Sequence, residues 1–431
     1  MSVPVARTML RSFSSLLRTQ KTCMNNGAAA DTSLRTYVTG TSEPLRRTGL
    51  YDFHVERGAK MVPFAGYSMP LLYGDVGQVA SHHHVRTEAG LFDVGHMVQI
   101  NFRGPTAAAF LEHLTPTIIS NLPNYASTLS VLLNPSGGII DDTMITRHSS
   151  DAFYIVTNAG RRDRDLPWFR SQLEEWNSPQ GLGGQKGDPV EMEILEDWGL
   201  LALQGPKAAA HLQTFTSFDL KQLTFGKSAF VPIEGFNLHV ARGGYTGEDG
   251  FEISIPPTHT VEVATLLTRS PVQLAGLAAR DSLRLEAGMC LYGNDLDETT
   301  SPVEAGLSWV VSAERRDDVN GFIGAQEVLR QIKEGPKRRR IGMVVSGAPA
   351  RQGAKIFKPG SDEQIGTITS GIPSPTLGKN IAMGYVSVGN HKKNTQLEVE
   401  VRGKRQQAVV TPMPFVKPTY YRGTDCKLKG V

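Results

Sequence analysis

Beyond residue 335 the chain runs through six short strand-like segments with no helical stretch between them, and this succession most restricts the folds open to it. The segments cover residues 341–345, 354–357, 364–369, 382–388, 397–401 and 407–411, separated by turn residues. Such a series is expected to close into a small antiparallel barrel. Ahead of it, Gly335-Pro336-Lys337-Arg338-Arg339-Arg340 reads as a solvated basic linker. From Thr48 to Glu334 the pattern is mixed. Strand-like runs at 98–102, 152–157 and 200–203 alternate with helix-like runs at 106–114, 164–175 and 260–267, an α+β or α/β pattern.

A chain of 431 residues is long enough for two to three domains with a sizeable core. No run approaches the roughly 18 apolar residues of a membrane span. Cys23, Cys290 and Cys426 are far apart and form no C-x-x-C, which argues against a disulfide framework and for a reducing compartment. Residues 1–40 carry Arg7, Arg11, Arg18, Lys21 and Arg35 against Asp31, a net of +4 within a total of +3, so residues 41–431 sum to −1. The folded part is near neutral, which removes the case for a nucleic-acid partner. The leader is rich in Arg and Ser, with Met9, Phe13, Leu16 and Leu17 on one side of a potential helix. It has the composition of a mitochondrial transit peptide.

Three segments carry candidate chemistry. In Gly137-Gly138-Ile139-Ile140-Asp141-Asp142 a glycine turn leads into a β-branched strand bearing two carboxylates. Alternation is expected to place Asp142 with Ile140 and Met144, and Asp141 with Ile139 and Thr143, so only one aspartate faces a given cavity. A salt-bridged strand end and a carboxylate beside a ligand both remain open. In residues 243–253, GGYTGEDGFEI, four glycines make a loop around Tyr245 before a strand carrying Glu252. Ring and carboxylate suit a flat heterocycle with paired N–H donors; a plain hairpin is the alternative. In residues 276–298, Arg280 and Arg284 lie four apart on one helical face, fit either for ligand carboxylates or for local pairing with Asp281 and Glu286.

Other signals carry less. The glycine-rich run 181–187 misses dinucleotide-fingerprint spacing and reads as a surface turn, and no P-loop is present. His82-His83-His84 point in different directions on a helix or strand, so no metal is expected there.

Taken in order, HHHVRTEAGLFDVGHM (82–97), SGGIIDD (136–142), TNAG (157–160), ALQGP (202–206), GYTGEDGFEI, LAARDSLRLEAGMCLYGND and SGIPSPTLGKNIAMGYV (370–386) closely resemble the aminomethyltransferase, or T-protein, family of the glycine cleavage system. The resemblance runs from Thr48 to Tyr421. It implies an α+β, three-lobed folate-binding fold with a C-terminal antiparallel β-barrel, divided into a transit peptide at 1–40, a two-lobed catalytic region at 45–334 and a barrel domain at 335–425. It implies tetrahydrofolate as cosubstrate and no metal. The implied reaction takes the aminomethyl group from the lipoyl arm of the H-protein, releases ammonia and forms 5,10-methylenetetrahydrofolate. The lipoylated H-protein is the direct partner and the P- and L-proteins are functional ones, with no nucleic acid and no membrane, in the mitochondrial matrix.

By position, the resemblance makes Asp142 the catalytic carboxylate, with Asp141 as fallback. It gives Glu252 the pterin edge, sets Tyr245 in the loop packing on it, and makes Arg280 a ligand-binding arginine whose natural partner is the folate tail. Asn158 and Tyr420 fall at substrate-site positions. Two departures stand out: Gly95 where the family commonly has serine, and Leu129 where some members have tyrosine. Related folate-dependent dehydrogenases require an FAD fingerprint that is missing here. The non-catalytic relatives of iron-sulfur assembly carry a cysteine that the 320–327 region lacks.

Overall fold

The computed structural model describes residues 44–318 and 321–423; the leader at 1–40, Cys23 and Cys426 lie outside them. Three β-systems organise the described chain. A five-stranded antiparallel sheet runs in the order Ser127–Leu133, Ile139–Arg147, Ala152–Thr157, Val98–Arg103, Glu191–Ile194. A six-stranded sheet runs Ser228–Ile233, Phe236–Arg242, Gly250–Ile255, Gly199–Gln204, Ala89–Asp93, Val272–Leu274, its last pair parallel. Arg338–Val345, Lys379–Ser387, Gln364–Ser374, Lys355–Phe357, Gln396–Val401 and Lys404–Thr411 form a closed antiparallel barrel. The architecture is α+β and three-lobed with a C-terminal barrel. No helix among the described residues is long and apolar enough to cross a membrane.

Period-2 alternation explains how the two sheets meet. Phe153 and Ile155 turn outward to a core shared with Phe110 and Leu111 of the helix Ala107–Leu114 and with Leu166 and Phe169 of the helix Arg162–Asn177. Tyr154 and Val156 turn inward, where they join Phe92, Leu200 and Ala202 of the six-stranded sheet. Leu201 and Leu203 point the other way, into a core with Val263, Ala264 and Leu267. Gly199–Gln204 is buried on both faces, which is why its sequence is a continuous apolar run. Gln99 links the inner faces, its Oε1 accepting hydrogen bonds from Tyr154 and Ser254.

The helix Leu277–Glu286 ties these sheets to the barrel. Ala279 and Leu283 join the inner core, while Leu285 packs on Ile372, Ile381 and Met383 of the barrel. Arg284 is fully buried. It donates to Asp281 (2.9 Å), Asp295 (2.8 Å) and the barrel's Ser370 (2.8 Å). Glu286 accepts from Arg86 (2.8 Å), the Thr376 hydroxyl (2.7 Å) and the Ser374 hydroxyl, and its backbone oxygen accepts from Phe415 and Val416. Burial opposes ionisation of Glu286, yet hydrogen bonds from His82 and Ser374 outweigh it and hold the carboxyl at about 2.

Two expectations change, and two further readings gain their partners. Arg338, Arg339 and Arg340 do not form a solvated linker; they open the first barrel strand. Arg338 pairs with Glu304, and Arg340 donates to the carbonyls of Ala305 and Gly288. The glycine-rich run folds into a short helix, Leu182–Lys186, ended by Gly187 at φ 67°, with Gly181 and Gly183 close against Trp176. Arg284 takes the local pairing with Asp281 and adds the buried Asp295, rather than meeting a ligand. His82, in the histidine triplet, is buried against Ser282 and Thr376, and His84 meets the carbonyl of Pro271.

The glycine turn before the paired aspartates is clamped on both sides. Gly137 has φ 79°, and a Cβ on Gly138 would lie 1.8 Å from the carbonyl oxygen of Glu298. Gly138→Ala is expected to cost about 2–3 kcal/mol through backbone displacement, read as a lowered denaturant midpoint. Arg284→Met, which strands Asp295 without its cation, is expected to cost about 3–5 kcal/mol in the same measurement.

Candidate functional site

The turn is anchored before the carboxylates begin. Asn134 donates to the carbonyl of Glu298 and accepts from Gly138 N–H, Ile139 N–H reaches the carbonyl of Thr300, and Tyr292 and Arg161 cap the carbonyls of Ile139 and Ile140. A β-bulge follows where Leu132 and Leu133 face Asp141 and Ile139. The extra residue is Ile140, which turns into the outer core instead of sharing a face with Asp142. This corrects the simple alternation at Ile140 and at Ile139, which joins the core of Val131 rather than the side of Asp141. Past the bulge alternation resumes: Asp141 is fully buried on the outer side, while Asp142 and Met144 turn inward.

The expected separation of the two aspartates is incomplete because Asn158 bridges them. Its backbone N–H and Nδ2 donate to Asp141 at 2.8 and 2.9 Å, and Nδ2 also donates to Asp142 Oδ1 at 2.8 Å. Burial pushes the Asp142 carboxyl up to about 6, with the Asn158 bond pulling the other way. A group with that affinity is a carboxylate at neutral pH and a competent proton acceptor.

Glu252 approaches from the opposite sheet. Phe251, Ile253 and Ile255 of Gly250–Ile255 fill the outer core, so Glu252 and Ser254 take the inner face. Glu252 pairs in register with Ala202. Burial raises its carboxyl, and the charge of Arg280 partly reverses this. The Arg280 guanidinium lies 4.7 Å from the Tyr245 ring, and its Nη1 is buried without a hydrogen-bond partner. Tyr245 donates its phenol to the carbonyl of Cys290. Its hydroxyl is pushed above the usual range by burial, and the charges of Arg284, Asp142 and Arg280 all bear on it. Arg280 therefore sits with Glu252 and Tyr245.

The loop holding Tyr245 joins Phe236–Arg242 to Gly250–Ile255 as a hairpin connection with further ties. Thr246 donates to Gln204, and a Cβ at Gly244 (φ 150°) would run into that same side chain. Residues after the barrel close over the loop: Thr419 N–H donates to the carbonyl of Gly247, and its hydroxyl to Glu248. Tyr420 thereby lies on Phe225, ring centroids 4.2 Å apart, and burial raises its phenol to about 12. Its charged neighbours are Arg422, Arg86 and Glu248 rather than Asp142 or Glu252. Of the sequence candidates, Asp142, Asn158, Tyr245, Arg280 and Glu252 form one connected group, and Tyr420 borders its loop.

Gly95 donates its N–H to Asp93 Oδ1 (2.8 Å), and a Cβ there would come within 3.1 Å of that oxygen. Asp93 also accepts from Thr48 and meets His54, whose other ring nitrogen meets Tyr73, so the departure falls in a buried network. Leu129 pairs with Met144 at the neighbouring strand. The residue that sequence reading missed is Asp165, wholly buried beside Asp141. Its signal is weak: an acid in the first turn of a helix ordinarily faces solvent. No group of three or more His, Cys, Asp or Glu suited to a metal occurs among the described residues.

The arrangement can stack a flat ring and offer carboxylates and a cation from two facing sheets. Residues 50–315 match the GCVT N-terminal domain, and residues 338–417 match the glycine cleavage T-protein C-terminal barrel domain. The chain is 46% identical over 401 residues to the probable mitochondrial aminomethyltransferase of Schizosaccharomyces pombe, covering 93% of this chain and all of that one. It is 48% identical to the mitochondrial aminomethyltransferase of Mesembryanthemum crystallinum, covering 88% and 91% of the two chains. The crystal structure of glycine cleavage system aminomethyltransferase T from Bartonella henselae superposes with a TM-score of 0.80 at 37% identity, covering 88% of this chain and all of that one. The chain belongs to the glycine cleavage T-protein family of aminomethyltransferases.

Proposed function

We propose that this protein is a tetrahydrofolate-dependent aminomethyltransferase of the glycine cleavage system. It takes the aminomethyl group from the dihydrolipoyl arm of the H-protein, releases ammonia and forms 5,10-methylenetetrahydrofolate. The observation that carries the reading is the placement of Asp142 and Glu252 on the inner faces of the two sheets, with Arg280 against Tyr245 and charged toward Glu252. The buried, partnerless Nη1 of Arg280 supports a site built for a polar ligand, since such a donor is costly unless something accepts from it.

In this reading Glu252 and Arg280 hold the folate's ring edge through charge-assisted hydrogen bonds, and Tyr245 supplies an aromatic face. Arg280 thus works at the Glu252 end, a placement that favours the pterin over the glutamate tail as its partner. Asp142 stands where positive charge develops on the carbon, as a folate nitrogen bonds to it, its bond to the lipoyl sulfur breaks to leave the thiol, and its bond to the departing nitrogen breaks to free ammonia. It stabilises iminium character and accepts the proton released by the attacking folate nitrogen. Asn158 fixes the rotamer of Asp142. Tyr420, on the strap over the Tyr245 loop, lines the approach. Tetrahydrofolate acts as cosubstrate, and the chemistry draws on no metal.

The lipoylated H-protein is the direct partner, with the P- and L-proteins acting before and after it. The relatives named as mitochondrial place the protein in the mitochondrion, and the Arg-rich leader supports the matrix.

The test supplies aminomethylated H-protein and tetrahydrofolate and follows ammonia and methylenetetrahydrofolate together; absence of folate-dependent ammonia release would overturn the reading. Asp142→Asn is expected to keep folate affinity and to lose roughly 10²–10⁴-fold in kcat. The wild-type rate should fall as pH drops through about 6, where Asp142 takes up its proton, and this acid limb should vanish in the variant. Full activity in Asp142→Asn with loss in Asp141→Asn would transfer the role to Asp141. Glu252→Gln should instead weaken folate binding by about 1.5–3 kcal/mol, seen chiefly in KM.

A further inference from the structure

We propose that Asp165 is a positioning residue for Asp142: it shares one proton with Asp141, Asp141 grips Asn158, and Asn158 aims its side-chain amide at Asp142. The inference rests on the reading of Asp142 as the reacting carboxylate.

Its geometric basis is a relay of buried groups. Asp165 projects from the first turn of Arg162–Asn177 into the outer core and is wholly buried, with no conventional donor reaching either carboxyl oxygen. The Asp141 carboxyl and the Thr157 hydroxyl lie against it. Asp141 spends both oxygens on Asn158, through the backbone N–H and Nδ2, and the second hydrogen of Nδ2 goes to Asp142. Without that grip the Asn158 amide is free to rotate, and Asp142 loses the side-chain hydrogen bond that helps fix its orientation.

Two neighbouring buried carboxyls in an apolar core cannot both be ionised, since repulsion and desolvation act in the same direction. One proton between them gives Asp165 the hydrogen bond it otherwise lacks and leaves the pair with a single negative charge. The other charged and titratable neighbours do not replace that proton. On the adjoining strand Asp142 adds like charge. Arg161 is engaged by Glu298 and the carbonyl of Ile140, and Arg164 by Glu298 at 3.2 Å. From the loop side, Tyr292 donates to the carbonyl of Ile139. Consistently, burial raises the Asp165 carboxyl to about 7, and burial followed by the charges of Asp165 and Asp142 lifts Asp141 well above its ordinary range.

A shared proton has a thermodynamic signature independent of catalysis. The folded pair keeps a proton that unfolded carboxyls release near 3.8, so the stabilisation is complete below that pH and is lost as pH rises to about 7. Asp165→Asn offers Asp141 a permanent amide donor in the same place. Urea denaturation across this range should show the variant gaining on wild type as pH rises, and a pH-independent difference would overturn the shared proton. In the folate-dependent ammonia assay, Asp165→Leu should lose roughly tenfold to a hundredfold in kcat with KM for folate within about twofold, and Asp165→Asn should recover most of the loss. Unchanged kcat in the leucine variant, or equal loss in both, would overturn the positioning role. An inactive wild type would instead count against the transferase reading, with the denaturation series still deciding whether the proton is shared.

Discussion

The buried charges of one helix, Leu277–Glu286, hold this molecule together. Arg284 and Glu286 leave the same helical end in different directions, the first to Asp295 and Ser370, the second to Arg86, Ser374 and Thr376. Each ion is fully buried, so each depends on its partners to offset desolvation. The partners come from separate parts of the chain: the early helix Gln78–Thr87, the loop at Asp295 and the barrel. A charge network of this kind specifies how lobes dock, because any other arrangement leaves an ion unpaired. One turn earlier on the same helix, Arg280 enters the site.

The site follows from that docking. Two sheets present their inner faces to one another, and strand alternation decides which side chains each face contributes. From one come Asp142 and Met144, from the other Glu252 and Ser254, and Gln99 bridges them. Apolar neighbours such as Val156, Leu200 and Ala202 lower the local polarity, and this raises the carboxyls of Asp142 and Glu252. The same core that joins the lobes therefore raises the proton affinity of both carboxyls. Asn158 occupies the junction, with Asp141 and Asp165 behind it and Asp142 in front.

Much of the local structure could be read directly because its causes are local. The strand Ala152–Thr157 and the helix Thr260–Leu267 fall where β-branched content and helical periodicity place them. The six barrel strands appear in the expected succession. Failures occur where a distant group changes the meaning of a residue. The Arg338–Arg340 run looks solvated until Glu304 and the carbonyls of Ala305 and Gly288 are brought to it. Ile140 breaks alternation because the turn before it is clamped by Glu298 and Thr300, more than 150 residues away.

The amino-acid sequence by itself determined the elements, the barrel, the family likeness and five candidates that the fold brings into one group. Periodicity and turn chemistry act between near neighbours, and motif spacing survives in the linear order. Tertiary structure alone decided that Asp142 and Glu252 take the inner faces of their sheets, that Arg280 lies by Glu252 while Arg284 is held by Asp281 and Asp295, and that Asp165 is buried near Asp141. Those outcomes depend on desolvation and on charges contributed by remote segments, and neither quantity is defined for a residue until the chain has closed around it.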